Sequence, residues 1–89
     1  MKLKYYEKEW VDKIQQDFYN FKKKKVFTAE DEGRLLADLT GLLGWFNLDP
    51  NKQLKTLIEE ILIFAEKKQW SIAGPKIAFE HMKKRHRIK

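Results

Sequence analysis

The amino-acid sequence predicts an all-α protein, a compact four-helix bundle with short connections, and three observations lead there. Apolar residues recur every three or four positions through four stretches, the period of a helix buried along one face. Pro50 and the Gly74-Pro75 pair are the clear breaks. The connections left between the stretches are short, which favours adjacent, roughly antiparallel helices. No repeat, low-complexity tract or plausible linker divides the 89 residues, so residues 1–89 form one helical domain.

The first helix is expected over about residues 4–25. Leu3, Tyr6, Trp10, Ile14, Phe18 and Phe21 mark its apolar stripe, and Val11 and Tyr19 widen it. It ends in Lys22-Lys23-Lys24-Lys25, where positive charge suits the negative end of the helix dipole.

The second helix is expected over 29–46, with Thr28 as N-cap and Glu30, Asp31 and Glu32 in the first turn. Asp31 stands where a capping box usually has Glu or Gln, so the box is imperfect. Leu35, Leu36, Leu39, Leu42, Leu43 and Phe46 form its apolar face. Gly41 and Gly44 each weaken it by about 1 kcal/mol relative to Ala, and are expected either to let a neighbouring helix pack closely or, one of them, to mark the helix end.

The third helix is expected over 50–68, capped by Asp49 with Pro50 at the first helical position. Leu54, Leu57, Ile58, Ile61, Leu62, Ile63, Phe64 and Ala65 make it apolar around most of its circumference, the pattern of a central helix. The fourth is expected over 75–87, opened by Pro75 and apolar at Ile77, Ala78, Phe79 and Met82.

Twelve aromatic residues, three Trp, three Tyr and six Phe, supply enough buried area for a small core to stand without staples. Cys is absent, which excludes disulfides, thiolate metal sites and a Cys nucleophile. No apolar run is long enough to span a membrane. The basic start Met1 to Tyr6 is interrupted by Glu7, Lys8 and Glu9 before any signal-type apolar stretch. The chain is therefore expected to remain intracellular, in the cytoplasm or with the nucleoid or nucleus.

Charge is unevenly spread within the net +6. Residues 1–25 hold eight Lys against Glu7, Glu9, Asp12 and Asp17. Residues 26–50 hold Arg34 alone against Glu30, Asp31, Glu32, Asp38 and Asp49. Residues 71–89 hold six basic residues against Glu80. Two basic ends around an acidic middle point to nucleic acid, anionic lipid or an acidic protein as partner, or to a solvated surface that keeps a small domain soluble.

Catalytic chemistry finds little support. His81 and His86 are five apart, about 140° around a helix, and do not chelate a metal from one face as an i, i+4 pair would. Glu59 and Glu60 diverge by about 100°. Glu80 and Lys84 form an i, i+4 pair. The apolar Gly41-Leu42-Leu43-Gly44 is no phosphate loop, and Ser71 has no triad partner nearby in sequence. The chain is read as a non-enzyme with no cofactor and no metal.

Binding remains. The third helix, the break at 71–74 and the basic fourth helix follow the order of a helix-turn-helix, whose second helix offers Lys and Arg to phosphates or base edges. Lys76, Lys83, Lys84, Arg85 and Arg87 are the candidate contacts there, with Glu80 among them. Lys22, Lys23, Lys24 and Lys25 join them if the first helix ends near the end of the fourth. Lys84-Arg85-His86-Arg87 also fits a loose nuclear-localisation pattern.

The segment Leu42-Leu43-Gly44-Trp45-Phe46-Asn47-Leu48-Asp49-Pro50-Asn51-Lys52, followed by Leu54 and Ile58, resembles a short stretch of the large helical subunit of the THO messenger-RNA export complex. The resemblance covers about 42–58 and implies a helical scaffold in an RNA–protein assembly; good capping chemistry explains its centre equally well. In size, charge and expected architecture the chain is also similar to the bacteriocin immunity proteins of Gram-positive bacteria, which act at the inner membrane face, although no motif is shared. Two functional expectations follow. The leading one is a module that binds DNA or RNA through its basic C-terminal helix. The other is a protein-interaction module of immunity type, or a homodimer. It would use the acidic 28–38 face or an exposed Trp45, Trp70, Tyr5 or Tyr6, with the basic segments on a membrane or receptor surface.

Overall fold

The computed structural model describes residues 5–87, with side chains from residue 8 onward. Four helices run alternately up and down: α1 (Tyr5–Phe21), α2 (Ala29–Leu48), α3 (Lys52–Lys67) and α4 (Ala73–Arg85). The all-α four-helix reading holds. Leu3 and the Tyr6 side chain lie outside the described residues.

α1 buries Val11, Ile14 and Phe18, while Trp10 and Tyr19 stay more than a third exposed. It stops at Phe21, four residues short of expectation. The amides of Lys22, Lys23 and Lys24 donate to Phe18, Asn20 and Phe21 carbonyls in tightening turns. The chain then reverses so that the Phe27 ring meets Phe21 at 5.1 Å. Burying Phe27 outweighs the helix propensity of four lysines.

The cap of α2 forms in full. Asp31 N–H donates to Thr28 Oγ1 at 3.2 Å, and Thr28 N–H donates to the Asp31 carboxylate at 2.9 Å. Asp thus serves where Glu was expected. α2 packs against α1, α3 and α4 alike, and Leu39, Leu42 and Phe46 are wholly buried. It is the central helix, in place of α3. Ile63, which broadened the apolar stripe of α3, is 56% exposed.

The cap of α3 is Asn51, whose side-chain oxygen accepts from Leu54 N–H at 2.9 Å. Asp49, expected in that role, ends α2 instead, its N–H donating to the Trp45 carbonyl. Pro50 sits in the intervening turn. α4 begins two residues early, at Ala73. Pro75 remains within the first turn, where its missing N–H leaves no bond unmade. α4 lies principally on α2, with Phe79 5.2 Å from Phe46. It therefore has the order of a helix-turn-helix second helix but is anchored elsewhere.

Gly41 gives Trp10 room. A Cβ there would lie 3.0 Å from the Trp10 ring, which in turn meets Trp45 at 5.8 Å. At Gly33 and Gly44 a Cβ would meet nothing.

Candidate nucleic-acid interface

α1 and α3 run in the same direction, so the lysines that follow α1 and those at the end of α3 share one end of the bundle. The reversal after α1 brings Phe27 inward. At the end of α3, Gln69 adopts φ 60°. Its N–H donates to the Glu66 carbonyl and that of Trp70 to Ala65, the paired bonds of a Schellman turn. The turn folds Trp70 back over the helix end. Phe21, Phe27, Phe64 and Trp70 then pack as one four-ring cluster, with every pair of centroids 5.1–6.2 Å apart.

Lysines stand around this cluster. Lys68 Nζ lies 4.5 Å from the Phe27 centroid and 5.6 Å from that of Phe64. Lys24 Nζ is 5.8 Å from Phe21, and Lys22 Nζ is 5.0 Å from Phe18 and 4.9 Å from Tyr19. Lys22 and Lys67 flank a hollow of about 220 Å³ with Glu60, Ile63 and Phe64. Lys24 is committed to Asp31 at 2.7 Å. Lys23, Lys25, Lys67 and Lys68 are exposed and make no ion pair among the described residues. The hydrogen bond from Lys24, with that from Thr28 N–H, holds the Asp31 carboxyl below its usual range.

The basic residues of α4 are placed differently. Lys76 reaches Glu66 at 3.5 Å. Lys83 pairs with Glu80 at 3.0 Å and lies 4.9 Å over the Phe79 ring. Glu80 thus bonds Lys83 and not Lys84, its expected partner. Arg85 Nη1 donates to Asn47 Oδ1 at 2.9 Å, and His86 Nε2 donates to the Asn47 carbonyl at 3.1 Å. His86, just past α4, thereby satisfies a carbonyl in the last turn of α2, and Arg85 holds the Asn47 side chain beside it. His86 is half-buried against Phe46. Lys84 and Arg87 are exposed.

The two basic runs do not merge. One meets α2 at Asp31 and the other at Asn47, sixteen residues apart, about 24 Å along the helix. What joins Lys22–Lys25 is Lys67 and Lys68, which do not stand out in the sequence as a basic run. The signal lies in topology: in an up-down-up-down bundle the first and third helices end together, and lysines follow the one and end the other.

A second groove of about 370 Å³, between α1 and α2, holds Asp17, Lys24, Asp31, Arg34 and Asp38. Burial, and then the charge of Asp17, push the Asp38 carboxyl up, with Arg34 partly opposing. Among the described residues no group of His, Asp and Glu is arranged to hold a metal ion. No helix there is long and apolar enough to cross a membrane. Comparison of the chain with known protein families, with curated proteins and with solved structures finds no match.

Proposed function

We propose that the protein is a non-enzymatic module that binds the phosphate backbone of nucleic acid, chiefly through the lysine end of the bundle. The observation that carries this reading is that Lys22–Lys25 and Lys67 and Lys68 lie at one end of the bundle, with Lys22, Lys24 and Lys68 over aromatic rings. Cations fixed on rings present their charge outward with little ordering left to do on binding. Lys84 and Arg87 at the end of α4 form a second, smaller cationic site. Glu30 and Glu32 beside the lysine end limit how many phosphates it neutralises.

Fluorescence anisotropy with labelled single-stranded RNA and duplex DNA, across a salt series, tests this. Binding should weaken steeply as salt rises, because neutralising phosphates releases counterions. Replacing Lys23, Lys25 and Lys67 by Gln should reduce the slope of log K against log salt by up to about 3, roughly one for each phosphate that is no longer neutralised. Binding to neither nucleic acid, or binding indifferent to salt, would refute the reading.

A further inference from the structure

We infer that the chain bridges two separate nucleic-acid segments, one at each end of the bundle; this rests on the proposed nucleic-acid binding. The basic residues are gathered at opposite ends of α2, about 24 Å apart along that helix. The molecule is 38 Å along its longest axis. In the α3–α4 groove between them Glu59 and Glu80 are paired with Lys55 and Lys83. In the α1–α2 groove Asp17 and Asp38 face Arg34 half-way along. A single backbone laid along that groove would meet the two carboxylates before reaching the second cluster. Two backbones, one per end, would not. Salt screens each bound segment from the other, since about 24 Å exceeds the Debye length of about 8 Å at physiological ionic strength.

The test uses two short duplexes of the same sequence, one carrying a donor dye and the other an acceptor, mixed with the full chain. Bridging predicts energy transfer that appears with the protein, is lost at high salt and falls again when protein exceeds DNA. Two variants keep the fold. One changes Lys23, Lys25 and Lys67 to Gln; the other changes Lys84 and Arg87 to Gln and leaves Arg85 on Asn47. Circular dichroism confirms that each stays helical. Each variant should still raise the anisotropy of one labelled duplex but lose most of the energy transfer. Binding by wild type without energy transfer would overturn bridging and leave the nucleic-acid reading intact. Energy transfer that survives in either variant would also overturn it, since the link would then run through association between protein copies. No binding to any duplex would overturn bridging, and together with no binding to single-stranded RNA it would overturn both.

Discussion

The two basic ends of this bundle look alike in sequence and differ in what their cations do. At the end of α4, Arg85 and His86 bond to Asn47, Lys83 to Glu80, and near its start Lys76 to Glu66. These side chains are engaged with other parts of the fold. At the shared end of α1 and α3, lysines rest on aromatic rings, and only Lys24 is tied to a carboxylate among the described residues. A basic run is thus a weak guide to function until its partners are known. Charges consumed in closing a helix end do not serve a ligand.

The comparison can be broken most forcefully at Phe64, the ring that touches Phe18, Phe21, Phe27 and Trp70. Phe64→Ala should destabilise the protein by about 2–3 kcal/mol, somewhat below a fully buried Phe. Urea denaturation reads this as a lower midpoint, and nucleic-acid affinity should fall with it as the lysines lose their base. At the other end, Arg85→Ala should cost about 0.5–1 kcal/mol by removing the bond to Asn47. Lys84→Ala beside it should change stability by less than about 0.5 kcal/mol. Thermal melts of the two variants side by side distinguish a structural cation from a free one.

The smallest effects are electrostatic, and they carry opposite signs within α2. Asp31 is held below its usual range by Lys24 and Thr28, so it stabilises the fold above the unfolded carboxylate value and loses that contribution as pH falls through its lowered folded value. Asp31→Asn should therefore lower the melting temperature at pH 7, and the difference should shrink in acid. Asp38 is pushed up by burial and Asp17, so its ionisation costs stability as pH rises through the carboxylate range. Asp38→Asn should raise the melting temperature slightly at pH 7 and leave it unchanged in acid.

Much of the fold was legible from local chemistry. Thr28 as a cap, a break at Pro50, another ahead of Pro75 and the apolar spacing of Ile14 and Phe18 read directly from the sequence, although α4 begins two residues before Pro75. The errors lay where tertiary packing overrules local preference. Phe27 pulls the chain out of helix at Lys22, and Asn51 caps α3 because Asp49 is already closing α2. The centrality of α2 was hidden because its buried leucines face three neighbours. The site was half legible. Lys22–Lys25 were visible as a run, but their pairing with Lys67 and Lys68 depends on helix direction. The commitment of Arg85 to Asn47 depends on a residue 38 positions away in sequence.

The most direct test of the lysine end as the principal ligand surface is amide chemical-shift mapping by NMR during titration with a short unlabelled oligonucleotide. The account predicts that the largest shifts fall at 22–28 and 66–70, with a weaker second set at 84–87. Shifts confined to the groove between α3 and α4, or none at all, would contradict it.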